Sequence, residues 1–484
     1  MKRSILMFLT CLLTALLSDI GSAQTVTGGL DGHITDSAGG AIPNAQVVAR
    51  DATAGVERTT RTNEAGYFSM PFVSIGNYDV TVSMKGFATL VATGARVTLN
   101  KTTTLSLVLQ VSAVQESVTV NEQAQLIDMA SGEVRRGLDN VMLEELPVSG
   151  RDFRNIVSYF PGFQSNPTSG QNNYTLSSGS SVSFNGTGTR GASFMTDGIG
   201  NDDYSENQNR QQVNVETVKE MQVLTNSFSA QFGRALGAVV LVNTKAGSNA
   251  THGEAYWFYA NSAFNARDYF SNASGMHYNS AGVLVPNVAK ASSKNDRLGG
   301  TLGGPIKKNK LFYFGSFERF WAPGSTLVTT YLIPPQYLTP NIDPSLPNAA
   351  ADAAFVKSVA ARFPTNLTPN APSISPSAWQ GPEPRSRHDH DYTGRVDLHQ
   401  SDKDLIYGRY QWSTFFSGLL AEPVKGENVV SNHDFENVGV TWTHIFSHSV
   451  VGEARAGYGR RNINISFLDP SDNPPITTPK IARP

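Results

Sequence analysis

Gly186-Thr187-Gly188-Thr189-Arg190-Gly191 satisfies the G-x-G-x-x-G spacing, which holds a pyrophosphate when a helix opens directly behind it. Here Asp197, Asn201, Asp202 and Asp203 follow in a turn-rich stretch, so the spacing predicts a close-packed loop rather than a nucleotide site. His388-Asp389-His390-Asp391 sets two imidazoles at a period of two, on one face of a strand. Two nitrogens projecting together fall short of the four ligands of a structural zinc site, and a solvated strand start is the simpler reading. Asp202, Asp203 and Glu206 offer oxygens to a hard cation but lack the interleaved spacing of a calcium loop, so they read as solvated acids. No G-x-S-x-G, H-E-x-x-H or G-x-x-x-x-G-K-[ST] run occurs, so the sequence reads as a non-enzyme with no catalytic residue, no metal and no cofactor. Glu116-Ser117-Val118-Thr119-Val120 has another use, because a short segment of high β-propensity can pair its backbone with the edge of a partner's sheet. It reads equally as a last strand of the domain before it, or as a linker.

The elements that would position these residues change character along the chain. Lys2 and Arg3 precede the apolar run Ile5 to Leu17, and Gly21-Ser22-Ala23 offers small residues to a peptidase, so residues 1–23 read as a secretory signal. The single cysteine, Cys11, lies inside that run, leaving the exported chain without disulfides or Cys-ligated zinc. Residues 24–111 contain short alternating runs at His33–Thr35, Ala45–Ala49, Tyr67–Met70, Tyr78–Val82 and Leu105–Leu109, separated by Gly, Pro and Asn turns, which predicts a small β-sandwich. Residues 112–125 read as a linker. In the Gly-, Ser- and Asn-rich block 126–250, Val141 to Ser158 reads as a helix broken by Pro147, Gln164–Ser181 as loop, and Val215–Leu224 and Gly237–Asn243 as regular structure.

From residue 251 onward the pattern is one of long alternating strands, at 253–261, 296–304, 310–321, 390–399, 404–415, 436–446 and 450–460. Pro305–Asn309, Gln400–Lys403 and Ser447–Ser449 are tight turns, whereas 262–295, 322–389 and 416–435 read as long loops. Short turns on one side and long loops on the other are how outer-membrane barrels are built. Tyr392, Gly394, Val396 and Leu398 alternate with Thr393, Arg395, Asp397 and His399, which a soluble sandwich would also produce. Aromatic runs such as Tyr256-Trp257-Phe258-Tyr259 and Phe312-Tyr313-Phe314 tip the reading to interfacial girdles. The fold class expected is therefore mostly β, with an N-terminal sandwich, an α+β domain and the first strands of an antiparallel transmembrane β-barrel in 251–484. About seven strands do not close a plugged barrel of ~22, so the sequence reads as a fragment.

Composition agrees. In 484 residues, 38 Lys+Arg balance 40 Asp+Glu, which leaves no basic surplus for nucleic acid. A mean hydropathy of -0.24 excludes a helical membrane protein but not a β-barrel, whose alternating strands average out.

Several of these residues also carry resemblances. Gly32-His33-Ile34-Thr35-Asp36, Gly40-Ala41-Ile42-Pro43-Asn44-Ala45, Thr62 to Phe68 and Gly76-Asn77-Tyr78 resemble the carboxypeptidase regulatory-like domain, a transthyretin-like sandwich of a carbohydrate-binding-like superfamily and not itself a peptidase. Met195-Thr196-Asp197-Gly198, Val215–Leu224, Phe228 to Gly233 and Gly237 to Gly247 resemble the plug domain of TonB-dependent outer-membrane receptors. Asn295 to Pro305 with Lys310 to Phe314 is similar to early barrel strands of the Oar-like branch of that family. Glu116–Val120 resembles the TonB box, ahead of the plug as in the family. The resemblance implies a receptor in the outer-membrane lipid that imports a small solute (siderophore, saccharide or peptide) with energy from the periplasmic domain of TonB. Asp202, Asp203, Tyr204 and Glu206 are then the candidate solute-binding residues. A structural or adhesion protein of the outer membrane and a secreted carbohydrate-binding protein are the other readings.

Overall fold

The computed structural model describes residues 27–99, 101–111, 117–121, 134–146, 151, 156–165, 182–188, 191–203, 208–211, 213–229, 232–267, 269, 275–278, 283–288, 290–332, 342–345, 347–363, 367–371, 375–401, 403–419, 429–447 and 450–467. The expected signal 1–23, Glu116, Tyr204 and Glu206 lie outside the described residues.

The sandwich forms as expected, from β1 (Gly28–Asp36), β2 (Gln46–Asp51), β3 (Glu57–Arg61), β4 (Tyr67–Val73), β5 (Gly76–Ser83), β6 (Thr89–Val97) and β7 (Thr102–Leu109). Its cause is strict alternation: in β7, Thr103, Leu105, Leu107 and Leu109 point inward and Thr102, Thr104, Ser106 and Val108 outward. Each fully buried leucine contributes about 1.5–3 kcal/mol of transfer free energy. The Asn63–Gly66 turn is held by Asn63 Oδ1, which accepts N–H bonds from Ala65 and Tyr67 at 3.0 Å. β3 and β6 are additions to the expected set. β3 is masked in the sequence by Glu57, Arg58 and Arg61, and β6 by a bulge beside Gly94, whose φ is 81°.

The strands lie in two sheets, ordered β4-β1-β7 and β3-β2-β5-β6-β8. The last of these, β8 (Ser117–Asn121), pairs in parallel with β6, from Thr89↔Ser117 to Thr93↔Asn121. Four residues of the expected box therefore lie on the sandwich.

Next come β9 (Val134–Asp139), α1 (Asn140–Glu145), β10 (Phe163–Ser165), β11 (Val182–Phe184), β12 (Ala192–Thr196), β13 (Ile199–Gly200), β14 (Asp202–Asp203), β15 (Gln208–Asn209), β16 (Val218–Thr225) and β17 (Ala238–Thr244). The expected helix 141–158, broken at Pro147, is helical over α1, where Asp139 Oδ1 caps it by accepting the Met142 N–H, and again at 156–157; residues 147–150 and 152–155 lie outside the described residues. Leu146 already has ψ 130°, because the residue before a proline is driven out of the helical region and Pro147 follows. The main sheet runs β13-β12-β17-β16-β9, with β17 buried along its whole length. One face, with Phe194, Met221, Val223, Val240 and Val242, packs on Leu143, Ile156 and Phe184. The other, with Leu224, Val239 and Leu241, packs on Ile75 and Leu99 of the sandwich and on Tyr407 of the following domain.

That domain is a seven-stranded antiparallel wall of β18 (His252–Asn261), β21 (Lys294–Lys307), β22 (Leu311–Tyr331), β23 (Ala378–Ser401), β24 (Asp404–Leu419), β25 (Val429–Ser447) and β26 (Val450–Phe467). The hairpin β19 (Met276–Tyr278) and β20 (Leu284–Pro286) and the helix α2 (Ala349–Ala360) lie in its long connections. All seven expected strands are present, but longer. The expected loop 322–389 is corrected: 322–331 and 378–389 are strand, pairing as far as Tyr331↔Ala378. Pro323, Pro382 and Pro384 hid this. Beyond Trp321 and Arg385 these two strands lose their continuous ladders to β21 and β24 among the described residues, so a proline can turn its missing N–H to an edge without a ladder.

The two faces of the wall are inverted relative to a soluble sheet. Val396, Tyr410, Val440 and Tyr458 are exposed on the outside, while Arg409, Gln411, Asn437 and Thr441 are buried on the inside against the plug. Phe317, Tyr392 and Trp412 sit side by side across three strands, with ring centroids 5.1 Å apart in each pair, as an outer aromatic band. No helix among the described residues is long and apolar enough to cross a membrane, which says nothing of strands.

Candidate functional site

The chemistry of the molecule is concentrated where the plug meets the wall. Asp197 and Gly198 form the two-residue turn between β12 and β13, both with positive φ (48° and 71°), the conformation an Asp-Gly hairpin turn favours. The turn carries the Asp197 carboxylate into the interior, where the side chain is 1% exposed. Oδ1 accepts the Thr244 N–H at 2.8 Å and Oδ2 the Thr244 hydroxyl at 2.8 Å. Two guanidinium groups from the wall converge on it: Arg395 Nη1 lies 3.3 Å from Oδ1, and Arg409 Nε lies 2.9 Å from Oδ2. Arg395 is held in place by Asp397 and by the Tyr407 ring, 4.6 Å from its guanidinium carbon. Arg409 donates to Gln411 at 2.8 Å and to Asn437 at 2.7 Å, and the Tyr407 hydroxyl donates to the Asp197 carbonyl at 2.9 Å. Ion pairs removed from water in this way are strongly destabilised when one partner is deleted.

Ile199 follows in the same hairpin and fits a socket made by the lack of side chains. A Cβ on Gly439 would lie 2.6 Å from Ile199 Cγ1, and one on Gly457 2.5 Å from Ile199 Cγ2. Farther along, Gln211 Nε2 donates to Ser413 at 2.9 Å, and Asn214 donates to the Tyr256 hydroxyl, which donates to Glu318.

Asp202 and Asp203 fall in β14. Asp202 accepts from the Ser193 hydroxyl at 2.7 Å and the Phe194 N–H at 2.6 Å, and burial lifts its carboxyl above the usual carboxylate range despite these bonds. Asp203 pairs with Arg461, toward the end of the wall that carries the long connections. In the Gly186–Gly191 segment, Gly186 and Gly188 have positive φ, and the strand β12 follows where a nucleotide site needs a helix. His388 stacks on Phe416 at 4.3 Å and His390 Nδ1 lies 3.3 Å from the Thr414 hydroxyl, so both imidazoles pack along the strand. The carboxylates of Glu144, Glu216 and Glu254 come within 4.8 Å of one another, but Lys245 lies 3.2 and 3.1 Å from Glu144 and Glu254, and Arg151 pairs with Glu216. That charge is already matched.

A second junction joins sandwich and plug. Glu220 of β16 accepts the Leu99 N–H at 3.2 Å and the Gln222 amide at 2.7 Å, and burial raises its carboxyl. Arg96 of β6 reaches Asp139 of β9 at 3.0 Å, and Asn249 donates its side-chain amide to the Gly55 carbonyl at 3.0 Å. The sandwich also faces the short-turn rim of the wall across a cavity of about 310 Å³, lined by Arg58, Phe72, Lys310, His399 and Lys403 among others.

Sequence reasoning placed Asp197 in a turn-rich stretch and in the plug resemblance, and Arg395 on one face of an alternating strand, without joining them; Ile199, Arg409, Gly439 and Gly457 were missed. The available signal was charge at membrane depth, since an ionisable residue there needs a partner.

Comparison with known proteins follows the same division. Residues 29–110 match the carboxypeptidase regulatory-like domain, 138–239 the TonB-dependent receptor plug domain, and 243–482 an outer membrane beta barrel domain. The TonB-dependent transporter Oar of Myxococcus xanthus is 24% identical over 269 residues, 54% of this chain and 24% of that protein. The siderophore receptor PirA of Acinetobacter baumannii (16% identity, TM-score 0.41) aligns over 68% of this chain and 40% of its own. The outer membrane transporter YddB of Escherichia coli (11% identity, TM-score 0.44) aligns over 67% of this chain and 38% of its own. The chain thus spans about a quarter of the length of its curated relative. With regulatory-like, plug and barrel domains in that order, the chain belongs to the TonB-dependent outer-membrane receptors that carry an N-terminal carboxypeptidase regulatory-like domain.

Proposed function

We propose that this chain supplies the plug and the first wall strands of an importer that takes up a small external solute across the outer membrane. The observation that carries the reading is the plug hairpin pinned inside an inverted wall by Asp197, Arg395 and Arg409, because a pore blocked by a discrete, ion-paired domain needs work to open. The solute binds at the long-connection end, toward which Asp203 pairs with Arg461; Asp203 and, by their place in the sequence, Tyr204 and Glu206 are the candidate contacts. Asp202 serves there by shaping the hairpin rather than by touching solute, since both its oxygens are already engaged. Siderophore, saccharide and peptide all fit this reading. The work comes from the periplasmic domain of TonB pairing with Glu116–Val120. Signal residues 1–23 export the chain.

The test is Val118→Pro in the full-length protein, which removes one backbone donor from the pairing segment. Uptake is lost while surface binding of solute persists; equal uptake in variant and wild type rejects the pairing assignment. A structural or adhesion role would instead survive deletion of 116–120 without any transport phenotype.

A further inference from the structure

β8 is the outermost strand of its sheet, and among the described residues no element pairs with its other edge. Along a strand, successive residues aim their N–H and C=O groups at opposite edges, so pairing with β6 occupies only alternate residues of Ser117–Asn121. The remaining donors and acceptors form a ready template for another strand. The two ends of this sheet are treated differently. At the far end, β3 carries Glu57, Arg58 and Arg61, the kind of charge that blunts an edge, whereas Ser117-Val118-Thr119-Val120-Asn121 has neither charge nor proline. Its neighbour β6 is also the strand that grips the plug: Arg96 lies on β6 itself and the Leu99 N–H just past its end, reaching Asp139 of β9 and Glu220 of β16.

We propose that the energising partner adds an extended strand to the outer edge of β8 while β8 stays docked on the sandwich, so that the sandwich is the handle through which the pull reaches the plug. This rests on the assignment of Glu116–Val120 as the pairing segment. The path of force runs from the added strand through the β8–β6 ladder to the Arg96–Asp139 and Leu99–Glu220 contacts, which end on the outer strand of the plug sheet and on its neighbour. A strand that had first to leave the sandwich would bypass these contacts and load the 122–133 connection alone.

The experiment locks β8 in place. Val91 and Thr119 are register partners, so V91C/T119C forms a disulfide between neighbouring strands, with Cys11 the only native cysteine. Binding of a purified TonB periplasmic domain to the detergent-solubilised full-length protein is measured with the bond oxidised and then reduced. The two forms bind alike, within about twofold. A loss of about tenfold or more on oxidation, restored by reduction, means that β8 must undock and overturns the proposal. If the unmodified protein binds no TonB domain, or Val118→Pro binds as well as wild type, the pairing assignment itself fails and the proposal falls with it. A dimer of the protein alone that dissociates in Val118→Pro would give the edge to a second copy, and overturn it as well.

Discussion

Arg409 Nε lies 2.9 Å from Asp197 Oδ2 with both side chains 1% exposed, so a carboxylate of the plug and a guanidinium of the wall share a site that water does not reach. The pair is not isolated. Arg395 faces the other carboxylate oxygen, and Thr244 bonds both, so Asp197 is held from two strands of the wall and one of its own sheet.

Asp197→Ala leaves two guanidinium groups facing an apolar methyl. The expected cost is about 3–5 kcal/mol, the range for breaking a buried pair from one side. Denaturant unfolding of the full-length protein in detergent checks it, with protease cleavage of the plug as a second readout. Arg409→Lys, with Asp197 intact, is also destabilised, since one ammonium nitrogen lacks the forked reach by which the guanidinium meets Asp197, Gln411 and Asn437 together. Wild-type unfolding of Asp197→Ala would mean that the plug is held by shape alone.

The wall was legible because Tyr392 to His399 alternates without a break, and one face of such a strand must be buried. Strand ends were not legible where Pro382 and Pro384 sit in a two-stranded extension, because a sequence does not say which edge of a strand is free. The Asp197 site was hidden for a different reason. Its partner Arg395 is 198 residues away along the chain, and each residue alone looks ordinary, one a turn former and the other a lumen-facing cation. Only the placement of the plug inside the wall brings them together. The strand Ser117–Val120 was the converse case: its β-propensity was plain, but propensity serves a docked strand and a partner-pairing segment equally.

Gly439→Val and Gly457→Val each push a side chain into the space held by Ile199. Overpacking of this kind costs about 1–3 kcal/mol. The expected signature is a lowered unfolding midpoint for either variant and recovery when Ile199→Ala is added, since the alanine vacates the same space. Additive losses in the double variant would show that the glycines serve the wall's own backbone instead.

Glu220 sets a pH dependence on the sandwich–plug junction. Its carboxyl is raised by burial, so the folded chain holds the proton more tightly than the unfolded one, whose glutamates titrate at about 4.3. The contribution of this group is therefore fully present below about pH 4.3 and is lost as pH rises through the folded value. Measured against Glu220→Gln, which cannot ionise, wild-type stability falls as pH rises above about 4.3 and levels off beyond the raised folded value. Parallel pH profiles for the two proteins would remove Glu220 as the source.

The sandwich packs against the short-turn rim, beside Lys310 and Lys403, and the helix α2 lies in a long connection at the opposite end. In an outer-membrane wall the short turns face the periplasm and the long connections the exterior, so the two must fall on different sides of the bilayer. Ala38 and Ala354 are exposed positions in the sandwich and in α2. With Cys11 the sole native cysteine, Ala38→Cys and Ala354→Cys give single reporters once the signal segment is removed. A membrane-impermeant maleimide labels Ala354→Cys in intact cells, and labels Ala38→Cys only after the outer membrane is opened. Labelling of both in intact cells would place the sandwich outside, where it could neither receive a periplasmic strand nor pull on the plug from below.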